Sequence, residues 1–247
     1  MSDSHTWLQF ESSWEKLLSA KNKYLKEQRR EKISRYHAAD CSSCLGEFKG
    51  WNKDEQIEFT KDLLKIFKRY WINVISYSMP LGEFVEYFPE GKDDPARSCY
   101  GVLLRLVMLE MVAQIENGKK VVGKIKPIRI SLFHDRCPYD HVLLKAFNHA
   151  IKDDTFEGRG IFSAIAPLSS RECIPLQAAD LLAYENFKDS ERLLTGRNRR
   201  KTLDALLEMD GSFGGRARTF LPGGIRKLRE MMDKRLSTVN FSGLTQE

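Results

Sequence analysis

Apolar residues recur at helical spacing in the first part of the chain. Trp7, Phe10, Trp14, Leu17 and Leu18 fall on one stripe, which predicts an amphipathic helix over Thr6 to Glu31. A second stripe runs through NKDEQIEFTKDLLKIFKRY, where Asn52 and Glu55 have the spacing of a reciprocal N-terminal cap. WINVISYSM has the β-branched and aromatic character of a strand. RSCYGVLLRLVMLEMVAQIENG is apolar on nearly every face and predicts a third helix that stops at Gly118. Beyond it, IRISLFHD alternates as a strand, DHVLLKAFNHAIK reads as a helix, GIFSAIAPL as a strand and PLQAADLLAYENF as a helix. KTLDALLEM and GIRKLREMMDKRL complete the pattern with two more helices, and RYHAADC reads as a strand end or a loop.

Strands alternating with helices of this length predict an α/β or α+β fold around one sheet. No internal repeat or low-complexity linker divides the chain, so a single domain is expected, with a helical extension from about residue 195 to residue 247. At 247 residues, 42% hydrophobic and 30% charged, the chain is long enough and apolar enough to bury one good-sized core, which excludes a disordered or fibrous protein. The excess of 40 Lys and Arg over 34 Asp and Glu is compatible with a polyanionic partner such as nucleic acid without requiring one.

Five cysteines at irregular spacings suggest free thiols rather than a disulfide framework. MSDSHTWLQFESSW lacks the basic and apolar regions of a secretory signal, and no stretch approaches the roughly 20 apolar residues of a spanning helix. A cytoplasmic protein without a membrane segment is expected. FGGRARTFLPGG lacks the strand–glycine loop–helix context of a dinucleotide site, so no nucleotide cofactor is expected.

Two carboxylates stand out against this frame. Asp135 closes a strand expected to be central and buried, at the sheet edge where ligands collect, although Asp also commonly caps a following turn. Asp180 lies within an almost wholly apolar helix that opens at Pro175. A buried carboxylate must be paired, protonated or bound to metal, and one stripe carries Gln177, Asp180 and Tyr184. Both a hydrogen-bond network and a metal site satisfy that requirement.

Weaker signals surround these two. HDRCPYDH gathers His134, Asp135, Asp140 and His141; Asp140 is expected to cap the next helix, leaving Asp135 as the metal candidate. Cys41 and Cys44 form a lone C-x-x-C four residues after His37, too few ligands for a structural zinc. Glu47 is expected to be a solvated loop residue. RLLTGRNRRK carries Arg192, Arg197, Arg199, Arg200 and Lys201 without an acid, which suits either phosphate contacts or a solvated loop.

YHAADCSSCLGEFKGW, ISLFHDR and IPLQAADLLAYE together resemble the domain of unknown function 3800 family. The resemblance implies a ribonuclease H-like fold, a mixed sheet flanked by helices, and metal-dependent nuclease chemistry. In that plan acidic side chains hold Mg²⁺ or Mn²⁺, hard cations suited to carboxylates. By motif, Asp135 and Asp180 are the implied metal ligands and catalytic acids, with Gln177 and Tyr184 in support and His37 in proton transfer. Family members begin with a strand bearing Asp-Glu-Ser-Gly, whereas this chain begins where their Trp-containing helix starts. The resemblance therefore implies either an N-terminally truncated form that has lost part of its sheet and its catalysis, or a start upstream of Met1. It also implies exposed pairing edges and apolar faces. The alternatives are a non-catalytic module that binds nucleic acid or a protein, and a strand-transfer enzyme with the same carboxylate logic.

Overall fold

The computed structural model describes residues 4–70, 74–122, 128–200, 202, 216–220 and 223–235. They form an α/β chain, about 65% helical. Its strands make two separate two-stranded sheets: β1 (Ile75–Ser78) pairs with β4 (Arg216–Thr219), and β2 (Ile130–Asp135) with β3 (Phe162–Leu168). One mixed sheet was expected. Among the described residues each strand has one partner, and β1 and β4 are only four residues long, too short to anchor a wide ladder.

Contacts divide the chain into two compact units. The first comprises Met1–Ser76 and Ser169–Ala217, the second Tyr77–Leu168 and Arg218–Glu247.

The first unit contains α1 (Ser4–Glu27), α2 (Ala38–Ser43), α3 (Lys53–Tyr70) and α7 (Ile174–Leu194). α1 ends four residues before the expected boundary. Arg29 turns left-handed at φ 55°, and the Arg30 N–H donates to the Leu25 carbonyl at 2.9 Å. This turn satisfies carbonyls that a helix end leaves bare, here without a glycine. α3 has the expected reciprocal cap: Glu55 N–H donates to Asn52 Oδ1 at 2.9 Å, and Asn52 N–H to Glu55 Oε2 at 3.1 Å. RYHAADC becomes a loop followed by α2. The core is aromatic, with Phe10, Trp14 and Phe67 in mutual contact and fully or nearly fully buried. Each such ring removes 150–250 Å² from water, an upper-bound contribution of about 4–6 kcal/mol.

The second unit contains α4 (Leu81–Tyr87), α5 (Pro95–Val122), β2, α6 (Asp140–Lys152), β3 and α8 (Gly224–Arg235). α4 was not foreseen. α5 runs through Gly118 instead of stopping there, because that glycine keeps helical geometry rather than a positive φ. Its Pro95–Gly118 stretch is apolar and long enough to cross a membrane by length and composition only, where no such stretch was expected; 44% of its 18-residue apolar window is buried in the interior. There Cys99, Val102, Met108 and Met111 are buried, and α5 packs against α4 and α6. Of the helix expected in KTLDALLEM, all but Thr202 lies outside the described residues.

β2, α6 and β3 form a parallel strand–helix–strand unit, with Asp135 opposite Leu168. The predicted alternation holds: Ile130 is buried, Leu132 and His134 are half-buried, and Ser131, Phe133 and Asp135 are exposed. The strand is not the buried central one expected, since β3 is its one described partner and Phe133 is 56% exposed.

Candidate metal centre

Helix α7 explains its own carboxylates. Asp180 is half-buried, and its Oδ2 accepts the N–H of Ala38, the first residue of α2, at 2.8 Å. α2 has no side-chain cap of its own, because His37 at its N-cap position makes no such bond. Asp180 thus supplies from another helix the oxygen that an N-cap Asp would supply locally, and its charge faces the positive end of the α2 dipole. Gln177 is buried and fully engaged. Its Oε1 accepts from Trp14 Nε1–H at 3.1 Å and Tyr36 N–H at 2.9 Å, while Nε2–H donates to the Ser170 carbonyl at 2.8 Å. Tyr184 packs, partly buried, against the same core.

The other acids of α7 are also partnered. Asp189 is fully buried; it accepts the Arg200 N–H at 2.7 Å and Arg199 Nε–H at 3.1 Å. Glu185 takes Arg200 in a bidentate pair at 2.7 and 2.9 Å. Arg199 and Arg200 therefore fold the segment after α7 back onto it. Arg197 is exposed, and Lys201 lies outside the described residues.

His37 Nδ1 lies 2.9 Å from Asp40 Oδ2, an ion-pair distance without hydrogen-bond alignment. Cys41 is buried, and burial pushes its thiol pKa up to about 12. Glu47 is a clamp, accepting Ser34 Oγ–H and Ser34 N–H, both at 2.5 Å. Burial alone would raise the Glu47 pKa, but these bonds, with help from Arg35 and Arg171, outweigh it and hold the carboxyl below its ordinary value.

Asp135 falls in the second unit and Asp180 in the first, where Asp180 is engaged as a helix cap.

A different set of ligand types meets where β2 turns into α6. His134, Cys137 and Asp140 bring an imidazole nitrogen, a sulfur and a carboxylate oxygen within 4.8 Å of one another, all half-buried. Among the described residues no other group of three His, Cys, Asp or Glu side chains meets this way. Asp140 was expected to cap α6. Instead Tyr139 holds the N-cap position, and Asp140 Oδ1 reaches back to accept the Cys137 N–H at 2.9 Å. His134 Nδ1 lies 3.5 Å from the same oxygen and 3.1 Å from the Asp135 carbonyl oxygen. Burial first, then the Asp140 carboxylate, raises the Cys137 pKa. Tyr139 stacks on Tyr100 of α5 at 5.2 Å, which fixes the turn.

From this corner α6 presents a groove of about 420 Å³ lined by His141, Leu144, Lys145, Asn148, His149 and Lys152, none of them acidic. Sequence reasoning met this stretch but set Asp140 aside as a cap and passed over Cys137. The signal it missed was the three-residue spacing of His134, Cys137 and Asp140. No family model, curated protein or solved structure matches this chain.

Proposed function

We propose that the chain is a divalent-metal-dependent phosphodiesterase acting on nucleic acid, on a ribonuclease H-like plan related to the domain of unknown function 3800 family. Its working corner is the turn from β2 into α6. The observation that carries this reading is the acid-free face of α6, with Lys145, Lys152, His141 and His149, running on from a turn that holds metal-ligating side chains. Lys145 and Lys152 along one helix face attract a phosphate backbone. The carboxyl end of a parallel strand is also where α/β sheets assemble sites. A bound divalent ion supplies a Lewis acid for the phosphoryl oxygen and lowers the pKa of a bound water. The chain's own part is to position: Asp140 orients the turn, and the α6 cations hold the backbone of the nucleic acid.

The test is cleavage of labelled single- and double-stranded oligonucleotides with added Mg²⁺, Mn²⁺ or Zn²⁺, against chelator. Metal-dependent cleavage that falls in Lys145→Glu/Lys152→Glu supports the reading. Salt-dependent binding without cleavage under any metal replaces it with a non-catalytic nucleic-acid-binding module. That second reading is favoured by the structural employment of Asp180. In either case the double variant reduces the salt slope of binding by about 2, one per lost phosphate contact. An unchanged slope removes α6 from the interface.

A further inference from the structure

We infer that His134, Cys137 and Asp140 form a three-ligand site for a borderline ion of the Zn²⁺ type, rather than a hard-cation site for Mg²⁺. This rests on the preceding reading only in sharing its location. The argument begins with ligand chemistry. Mg²⁺ binds through carboxylates and water and keeps an all-oxygen shell. Imidazole, thiolate and carboxylate together are the ligands of zinc, and a thiolate selects against hard ions.

Geometry agrees. Zinc bonds of about 2.0–2.3 Å in a tetrahedron place ligand atoms roughly 3.3–3.7 Å apart. The 3.5 Å between His134 Nδ1 and Asp140 Oδ1 is already such a separation, and it is long for a hydrogen bond. The sulfur lies within 4.8 Å of both partners, so a small side-chain rotation closes the set. Nδ1 is the nitrogen facing the carboxylate, and a bound ion takes the place of its contact with the Asp135 carbonyl.

The support around the ligands is also in place. The Cys137 N–H bond to Asp140 Oδ1 ties two ligands into one turn, and the Tyr139–Tyr100 stack braces the residue between Pro138 and Asp140. Such outer partners set ligand orientation in metal sites. All three ligands are half-buried, which leaves room for a fourth position filled by water, the arrangement of an open site rather than a closed structural one. Asp135 and His141, the sequence neighbours of His134 and Asp140, are exposed.

The experiment is Co²⁺ loading of the full chain, read by absorption. The expected result is a thiolate-to-cobalt charge-transfer band with four-coordinate ligand-field bands, saturating at one Co²⁺ per chain and displaced by Zn²⁺ but not by excess Mg²⁺. Cys137→Ser should abolish the charge-transfer band and weaken binding by more than about 10-fold, the scale on which even outer-shell partners act. Asp140→Asn keeps an acceptor for the Cys137 N–H, so it guards against misfolding; it should weaken binding comparably while retaining the band at high Co²⁺. Cys44→Ser should leave the spectrum unchanged. A band that survives Cys137→Ser, or that disappears in Cys44→Ser, overturns the inference, as does the absence of any band. The outcomes separate from the functional reading. Cobalt binding as described without nucleic-acid cleavage keeps the site and removes the phosphodiesterase. Mg²⁺-dependent cleavage by an unaltered chain that gives no cobalt band does the reverse.

Discussion

Helix α7 and the turn from β2 to α6 both set polar side chains against apolar segments, and they differ in what meets those side chains. On α7, Asp180, Glu185 and Asp189 find a helix N-terminus, a bidentate guanidinium, and a backbone amide with a second guanidinium. Their surroundings are complete within the fold. At the turn, imidazole, thiol and carboxylate converge on one another, half-exposed, with the Cys137 backbone amide bonded to the carboxylate. A carboxylate in an apolar helix thus serves the fold here, and the ligand-like convergence lies in a less conspicuous loop. The difference follows from desolvation: a buried charge survives only when the fold supplies its partners, whereas a half-exposed group keeps water as an alternative.

The largest expected effect is on the α7 side. Asp189→Ala removes the carboxylate that Arg199 and the Arg200 amide share and should cost about 2–3 kcal/mol, below the fully buried limit because Arg199 is partly exposed. Urea unfolding followed by tryptophan fluorescence reads this, since residues 7, 14, 51 and 71, the chain's four tryptophans, all fall in the first unit. A loss under about 0.5 kcal/mol, the range of ordinary surface substitutions, would put α7 and the turn on the same footing. Next comes Gly158→Ala in the second unit, where an added methyl meets Val112 and the Phe156 ring; overpacking should cost about 1–3 kcal/mol by calorimetry. Asp180→Ala should cost about 1 kcal/mol as a lost cap, whereas Asp180→Asn, which keeps an acceptor, should stay within a few tenths. If Asp180→Asn instead removes metal binding, the contrast fails and Asp180 is a ligand.

The smallest effect is a pH dependence. Glu47 has a folded pKa held below its unfolded value, so its contribution is complete above the unfolded pKa and is lost as pH falls through the folded one. Glu47→Gln should flatten the acid limb of the stability curve in the first unit. An unaltered limb would mean that the Ser34 clamp is equally good with a neutral group.

Several elements were legible because their causes are local. The Asn52–Glu55 cap is written in four consecutive residues, and the alternation of β2 survives although its neighbours differ from those expected. The end of α1 was not legible, because Arg29 takes a conformation usually reserved for glycine. Nor was the role of Asp180: its partner is 142 residues away, a distance no periodicity encodes. The convergence of Asp140 on His134 and Cys137 was hidden by a rule of thumb, since a helix-initial Asp reads as a cap whether it points forward along the helix or, as here, backward to Cys137. Lys201, part of the expected basic patch, lies outside the described residues, while the pairing of Arg199 and Arg200 was not legible because their acids sit on the preceding helix.

The bond from Trp14 to Gln177 spans 163 positions, so the first unit closes over chain ends that leave the ribosome far apart in time. Residues 77–168 must be made before α7 can dock, a delay on the order of 10 s at about 5–20 residues per second. Until then the stripe of Phe10, Trp14 and Leu18 has no α7 to cover it. Such high contact order predicts slow maturation and dependence on chaperones during synthesis, and nascent chains halted before residue 174 should be trapped by a holdase that releases them once Leu194 has emerged.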